Sequence, residues 1–225
     1  LTVSPGATLT SSAGGTFQAT GAVIANTANL RALTGGTLNL STLTSYSAGA
    51  GTTIQANGTS SVVNLSGVTS FSASSATWTN TQIYAQAGGT VNLSGLSSIT
   101  TGETDAVASG TGSTINFTNL STYSGDKFNA TRRFRAESGG VIISPNLTTI
   151  GGRTSVELSG NTSVLDLADL TSVNDVSLLA ENSATLSLPA GITSYSAPNG
   201  SQFRALTGGT LNLSTLTSYS AGAGT

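Results

Sequence analysis

Apolar residues recur along this chain in a pattern that repeats about every 25 residues. The clearest copy runs from Leu30 to Thr52, and it returns as Phe203 to Thr225 with only its first residue changed. A period of this length is typical of a solenoid, in which each copy forms one coil. Each copy begins at an apolar residue, and the nine starts are Leu1, Leu30, Ile54, Ile83, Val107, Phe134, Val156, Leu178 and Phe203.

Within a copy, apolar and small polar residues alternate, as in Leu38-Asn39-Leu40. Alternation with a period of two predicts a β-strand, with the leucines facing the core and the asparagine facing solvent. No window keeps a helical period over ten residues, and Ser, Thr, Gly and Asn are poor helix formers. The pattern therefore predicts an all-β, right-handed parallel β-helix (β-solenoid) of about nine coils, as a single domain over residues 1–225.

Four apolar columns are expected to stack along the solenoid axis. The first contains Leu9, Leu38, Val63, Val91, Ile115, Ile142, Leu165, Leu186 and Leu211. The fourth contains Phe17, Tyr46, Phe71, Ile99, Tyr123, Ile150, Val173, Tyr195 and Tyr219. The pairs Gly35-Gly36 and Gly88-Gly89 mark a corner where a positive φ is expected.

Composition excludes several functions. Charged residues make up 7% of the chain, the formal net charge is −2, and Cys, His and Met are absent. A His-dependent catalytic triad, a thiol nucleophile and imidazole- or thiolate-bound zinc are thereby excluded. The chain has no basic nucleic-acid footprint and no apolar run of membrane-spanning length. We therefore expect no cofactor, no nucleic-acid partner and no membrane insertion.

The pattern begins and ends in the middle of a copy, so we expect the chain to be a segment of a longer repeat protein. Its wealth of Ser, Thr, Gly and Asn suits a secreted or surface protein of a microbe.

The segments Leu147–Gly152, Glu157–Asn161 and Leu165–Val173 share the pattern Leu-x-Leu-x-x-Leu-Thr-x-Ile in whole or in part. This pattern resembles the receptor L-domain repeat, the related repeats of fungal cell-wall proteins, and Ser/Thr/Gly-rich repeats of bacterial surface proteins. The resemblance implies a right-handed β-helix with coils of this length. The family's usual cysteines are missing, so no receptor ligand binding is carried over. Leucine-rich repeats are similar too, but the chain lacks the helical stretch that a horseshoe needs.

Two groups of carboxylates are candidates for chemistry. Asp166 and Asp169, with Glu157 one strand earlier, could serve as an acid and base pair on a polysaccharide. The interpretation we favour places Asp166 in an outward column in place of Asn and Asp169 in a turn. Glu103 and Asp105 could bind calcium together with loop carbonyls, although a solvated loop is favoured. We therefore predict no catalytic and no metal-binding residue.

Charged residues also cluster later in the chain. Arg135 and Glu157 occupy the same position in adjacent copies, which predicts a cross-strand ion pair. The run from Asp126 to Glu137 could dock an anionic partner, but a solvated loop is favoured for it.

An outward-facing array of small polar residues is the main candidate for a binding surface. We call it the polar ladder, and it comprises Thr37, Asn39, Ser41, Thr90, Asn92, Ser94, Thr114, Asn116, Thr118, Thr210, Asn212 and Ser214. A flat array of such groups could bind ice, or its stacked side chains could serve stability alone. Val62, Val141, Ile143, Pro145 and Val164 interrupt it.

Aromatic residues add one further candidate. Trp78, the only tryptophan, lies in a long loop and could stack on a sugar, anchor a partner or fold back over the solenoid. The column tyrosines Tyr46, Tyr123, Tyr195 and Tyr219 are expected in the core, with their hydroxyls at a rim.

The sequence favours an extracellular, non-enzymatic solenoid that serves as a stalk, sheath or adhesin segment of a microbial surface protein. Expected partners are surface glycans, other surface proteins, or further copies joined end to end. The alternatives are an ice-binding solenoid that uses the polar ladder and a carbohydrate-binding or carbohydrate-cleaving β-helix.

Overall fold

The chain folds as a parallel β-solenoid, seen in a computed structural model that describes residues 1–76, 78–125 and 132–221. About nine coils contribute short strands to three faces, and strands of successive coils pair in parallel. Within the described residues the regular elements are all β-strands. The fold class predicted from the period and the alternation is confirmed.

The first face is a nine-stranded sheet built from the longest strands. Its strands are β1 (Thr8–Ser11), β3 (Asn29–Leu33), β6 (Thr53–Asn57), β9 (Thr81–Gln86), β12 (Thr104–Ser109), β15 (Arg132–Glu137), β18 (Thr154–Ser159), β21 (Ser177–Glu181) and β24 (Phe203–Leu206). Most of these strands send a large apolar residue and then an alanine into the core, as Leu30 and Ala32 do.

The second face carries the Thr-Leu-Asn type of strand in two separate sheets. Seven strands form the first sheet: β2 (Thr16–Gln18), β4 (Thr37–Asn39), β7 (Val62–Asn64), β10 (Thr90–Asn92), β13 (Thr114–Asn116), β16 (Val141–Ile143) and β19 (Val164–Leu165). The second sheet contains only β22 (Thr185–Ser187) and β25 (Thr210–Asn212). The second face is therefore interrupted between β19 and β22.

The third face carries the Ser-Tyr-Ser type of strand. The strands β5 (Ser45–Ser47) and β8 (Ser70–Ser72) pair with each other. A six-stranded sheet follows: β11 (Ser98–Ile99), β14 (Thr122–Tyr123), β17 (Thr149–Gly151), β20 (Ser172–Asn174), β23 (Ser194–Ala197) and β26 (Ser218–Ala221).

The core consists of the predicted columns, stacked coil on coil. Leu38 is in register with Val63, and Tyr46 with Phe71, as the column assignment requires. Each interior coil buries its apolar side chains against the coils on either side, which is the reason a single copy is not stable alone. Each buried side chain contributes roughly 1.5–3 kcal/mol.

The glycine pair at the first corner has two separate structural reasons. Gly35 and Gly88 have φ values of 82° and 87°, which confirms the expected left-handed conformation there. Gly36 and Gly89 do not adopt a positive φ. A Cβ at Gly36 or Gly89 would instead clash with a backbone carbonyl of the preceding coil, so these positions are glycine because coils approach closely.

The alignment of the first copy was wrong. Leu9 pairs with Leu30 on the first face rather than with Leu38, and Phe17 pairs with Leu38 rather than with Tyr46. The first coil is therefore offset by one face. Without an Arg-Ala pair to mark its start, its apolar residues fit two neighbouring columns equally well.

The start of the fifth copy was wrong by one residue. Ala106 lies between Ile83 and Phe134 in the core column. Val107 lies between Tyr84 and Arg135 on the opposite side of the sheet, where it is covered to 7% exposure. The larger apolar residue points outward here, so hydrophobicity alone selected the wrong neighbour.

Candidate functional site

The polar ladder lies on the second face, and the structure brings most of it together. Thr90, Asn92, Thr114 and Asn116 are in register on β10 and β13, where they are half-buried. Thr37 and Asn39 are separated from them by one strand, β7. Thr210, Asn212 and Ser214 lie beyond the interruption of the second face, in or just after β25. Ser41, Ser94 and Thr118 lie at the corner just after their strands.

The asparagines of the polar ladder use their side chains within the protein. Asn64 Nδ2 donates to Asn39 Oδ1 at 3.0 Å, and Asn92 Nδ2 donates to Asn64 Oδ1 at 3.3 Å. Each oxygen also accepts the backbone N–H two residues later, as Asn92 Oδ1 does from Ser94 at 3.1 Å. The asparagines therefore link neighbouring coils and fix the corner after each strand.

Apolar residues interrupt the same surface at the predicted places. Val62 lies between Thr37 and Thr90 in the threonine column, and Val141 follows Thr114. Ile143 takes the position after Asn116 in the asparagine column. The outward surface of the second face therefore contains both polar and apolar side chains.

The third face carries a more regular polar array, which sequence reasoning missed. Its strand column is the first outward position of each strand, and it is Ser or Thr in every coil from the second to the ninth. The strand column comprises Ser45, Ser70, Ser98, Thr122, Thr149, Ser172, Ser194 and Ser218. Where the strands pair, stacking places neighbouring hydroxyls about 4.8 Å apart. The row has one break, because β8 and β11 belong to separate sheets. The signal was present in the sequence as two Ser or Thr residues after each apolar corner residue.

A second column of hydroxyls lies one residue earlier, at the corner that leads into each strand. Several of its hydroxyls donate to the carbonyl at the same position of the preceding coil. Ser121 donates to Ser97 at 3.0 Å, Thr148 to Ser121 at 3.1 Å, and Thr217 to Thr193 at 3.0 Å. This corner column stabilises the stacking of the coils.

The strand column differs from the corner column in its hydrogen bonding. Among the described residues, no hydroxyl of the strand column has a hydrogen-bond partner within the protein. Most of its members are exposed, and the remainder are half-buried. The third face thus presents a row of hydroxyls that is available to water or to a ligand.

The charged residues lie mainly on the first face, where they neutralise one another. Arg133 donates from Nε and Nη2 to the two carboxylate oxygens of Asp105, at 2.7 and 2.6 Å. Tyr84 Oη donates to the same carboxylate at 2.7 Å. Its hydrogen bond to Asp105 raises the pKa of Arg133, and burial raises the pKa of Tyr84.

Arg135 lies at the centre of a second group. It contacts Glu157, as predicted, and it also pairs with Glu137 and Glu181. Burial alone would lower the pKa of Arg135, but its hydrogen bonds to Glu157 and Glu137 raise it. The favoured interpretation of this region as a solvated loop was wrong for Arg132 to Glu137, which form β15. Residues 126–131 lie outside the described residues.

The prediction for Glu103 and Asp105 was also wrong. Neither lies in a solvated loop, because Glu103 is 1% exposed and Asp105 is fully buried. Arg132 Nη2 lies 3.0 Å from Glu103 Oε2, inside the protein. Glu103 directly precedes β12 and Asp105 lies in it, whereas their partners lie in β15 of the next coil. The register of β12 and β15 places Asp105 opposite Arg133, so the one-residue error in the start of the fifth copy hid this pair.

The residues of the candidate acid and base pair differ in their surroundings. Asp166 is half-buried just after β19, whereas Asp169 is exposed in the following turn. Glu157 is buried and bound to Arg135. Nowhere in the described ranges do three or more Asp, Glu, His or Cys side chains form a group that could hold a metal ion.

Trp78 is 78% exposed in the loop between β8 and β9, so it does not fold back over the solenoid. The column tyrosines differ from their prediction in two respects. Tyr219 was expected in the core but is 53% exposed. Tyr46 Oη donates to the Ala28 carbonyl at 2.6 Å, and Tyr123 Oη donates to the Thr104 carbonyl at 2.9 Å. These hydroxyls are buried inside the solenoid rather than placed at a rim.

The fold defines the class of protein: a parallel β-solenoid with Thr- and Ser-rich strands. The chain matches no family model, no curated protein and no solved structure. A search of the described residues for a helix long and apolar enough to span a membrane found none.

Proposed function

We propose that this chain is a non-enzymatic structural and adhesive segment of an extracellular or cell-surface microbial protein. The observation that carries the proposal is the row of unpartnered hydroxyls on the third face, repeated coil after coil along a rigid solenoid. Such a surface can make many weak hydrogen bonds to a hydroxyl-rich partner, and their number compensates for their weakness. Surface glycans are the expected partner, and surface proteins are the second.

Three further observations support this proposal. The carboxylates that come together on the first face are paired with arginines and have no free acid or base role. The net charge of −2 provides no basic surface for nucleic acid. The pattern's resemblance to receptor L-domain repeats and bacterial surface repeats agrees with an extracellular location.

The experiment compares adhesion of two variants with equal added charge. The third-face variant is Ser70→Arg, Thr122→Arg and Ser172→Arg, and the second-face variant is Thr37→Arg, Thr90→Arg and Thr114→Arg. Beads coated with each protein are tested on insoluble cellulose, chitin and peptidoglycan. We expect the third-face variant to lose about tenfold or more of the binding, and the second-face variant to keep it. Equal loss in both variants, or no adhesion by the unaltered chain, contradicts the proposal.

Ice binding is the second candidate, and the strand column favours it on a face different from the one the sequence suggested. Every position of the strand column from the second coil to the ninth is Ser or Thr, whereas valines interrupt the threonine column of the polar ladder. Ice-affinity partitioning of the same two variants tests it. Enrichment of the unaltered chain in ice, abolished only in the third-face variant, would establish ice binding in place of adhesion.

Carbohydrate binding through Trp78 is the third candidate, and the exposure of this indole favours it. Trp78 is the only tryptophan, so its fluorescence reports directly on a ligand at this loop. A saturable fluorescence change with soluble oligosaccharides, together with loss of binding in Trp78→Ala, would support a loop site. No change at millimolar sugar would exclude it.

A further inference from the structure

The interruption of the second face forms a slot between two adjacent coils. We call it the interstrand slot; one wall is Ser163–Leu167, around β19, and the other is Thr185–Leu188, around β22. It encloses a volume of about 500 Å³. Leu165, Leu167 and Leu186 contribute to an apolar lining, and Asp166 is its charged group.

Backbone hydrogen bonds that join other coils are absent here. Elsewhere on this face, the first strand residue donates its N–H to the preceding coil, as Thr90 does to Ser61 and Thr210 does to Ala184, both at 2.8 Å. Within the described residues, Thr185 N–H makes no such bond to Ser163.

The wall formed by Ser163–Leu167 also lacks a backbone hydrogen bond across the slot. Leu65 and Leu188, which follow their strands, donate to the next coil at 2.8 and 3.1 Å, at Asn92 and Asn212. In the described part of the chain, the N–H of Leu167 has no corresponding bond to Ser187. Both walls therefore present unpaired strand edges, and an unpaired buried backbone group is costly unless water or a ligand satisfies it.

The two coils stay attached through the other faces. On the first face, β18 and β21 remain in register from Ser155 opposite Ser177 to Ser159 opposite Glu181. On the third face, Asn174 pairs with Ser196. The slot is thus an opening on one side of a continuous solenoid, with walls that the neighbouring coils hold in place.

We propose that the interstrand slot binds an extended polypeptide strand from a partner protein. An inserted strand can hydrogen-bond to both walls, so it would join the seven-stranded and two-stranded sheets into one continuous sheet. Its apolar side chains would face Leu165 and Leu186, and a basic residue would pair with Asp166. Among the described residues, no aromatic side chain lines the slot, so the slot lacks the stacking platform that a sugar would use.

The first test is amide hydrogen exchange of the free protein. The amides of Thr185 and Leu167 are expected to exchange on the order of a hundredfold faster than those of Thr90 and Leu65, which are bonded across the same face. Protection of the slot amides equal to that of Thr90 would show that the slot is closed, and this result would overturn the proposal.

The second test adds the peptide Gly-Gly-Thr-Val-Lys-Leu-Ser, which is the sequence of residues 88–94 with lysine in place of Asn92 so that a basic side chain can meet Asp166. Residues 90–92 pair with both neighbouring coils elsewhere on this face. We expect saturable binding with protection confined to the two walls. Binding without that protection, or no binding at millimolar peptide, contradicts the proposal. If the walls become protected only as protein concentration rises, the occupant is a second copy, and the proposed partner is wrong.

Variants of Ser187 distinguish backbone pairing at the strand edge from nonspecific peptide binding. Ser187→Pro removes an N–H on the edge of β22, where proline is tolerated, and we expect it to weaken peptide binding about tenfold. Ser187→Ala leaves the backbone unchanged and should bind as the unaltered chain does. Equal binding by both variants, with equal melting temperatures, would overturn the proposal.

Discussion

Arg132 and Glu103 form an ion pair in which both side chains are only 1% exposed. Two arginines on the first face that are more exposed than Arg132 also pair with carboxylates. Arg133 pairs with Asp105, and Arg135 pairs with Glu157. At the residue scale, the few charges of this chain therefore hold strands together. Their removal should affect stability before it affects binding.

Arg132→Met should destabilise the protein by about 3–5 kcal/mol, because it leaves the Glu103 carboxylate buried without its cationic partner. The double variant Glu103→Leu with Arg132→Met should recover most of this loss, since it removes both charges of the pair. Urea denaturation measures both free energies of unfolding. A single variant as stable as the unaltered protein would show that the pair is not buried in solution.

Stability should be nearly constant between about pH 6 and pH 9, because the chain has no His and no Cys. Burial raises the pKa of Tyr46, Tyr84, Tyr123 and Tyr195 above 10.0. The stability that these neutral tyrosines contribute is therefore present below pH 10 and is lost as pH rises through their pKa values in the folded protein. Burial opposes ionisation of Glu137, but its hydrogen bonds to Arg135 and Ser109 lower its pKa below 4.5. That contribution is present above pH 4.5 and is lost as pH falls further.

Urea denaturation at a series of pH values measures this profile. Arg135→Gln should reduce the loss of unfolding free energy at acidic pH and leave the loss at alkaline pH unchanged. A change of more than about 1 kcal/mol between pH 6 and pH 9 would contradict the assignment.

At the scale of strands and corners, close approach between coils makes some glycines irreplaceable. Gly89→Ala should cost about 1–3 kcal/mol, because the added Cβ would clash with the backbone carbonyl of Ala56 in the preceding coil. Gly21→Ala is the matched control, since its Cβ would meet no atom within 4 Å. Thermal unfolding distinguishes the two, and an equal melting temperature for both would contradict the close stacking.

The strands were predictable wherever the apolar alternation is regular, as in Leu38-Asn39-Leu40. The prediction failed where two columns have similar chemistry, as at Leu9, or where the larger apolar residue faces outward, as at Val107. The strand column was missed because Ser and Thr are common throughout the chain, so its regularity was not conspicuous. The interstrand slot could not be predicted, since it depends on the distance between two coils rather than on residue type.

At the scale of the whole molecule, the described end coils expose core positions. Tyr219 is 53% exposed, whereas Tyr195, its neighbour in the same column, is 3% exposed. Leu1 is 46% exposed at the opposite end. Open strand edges favour pairing with another chain, which is the physical basis for end-to-end partners.

We expect sedimentation velocity to show concentration-dependent head-to-tail association. Tyr219→Lys should reduce it by placing a charge at the joint. Trp78→Lys is the matched control, because Trp78 is also an exposed aromatic residue but lies in a loop between interior strands. Association that responds to Trp78→Lys and not to Tyr219→Lys would contradict the end-to-end arrangement.

In the proposed function, the third face is the contact surface. The most direct test of this assignment is hydroxyl-radical footprinting of the protein while it is adsorbed on an insoluble polysaccharide to which it adheres. We predict protection along the third face, at Ser70, Thr122, Thr149 and Ser172, with the second face at Thr90 and Thr114 as reactive as in free solution. Protection centred on the second face, or spread evenly around the solenoid, would contradict this assignment.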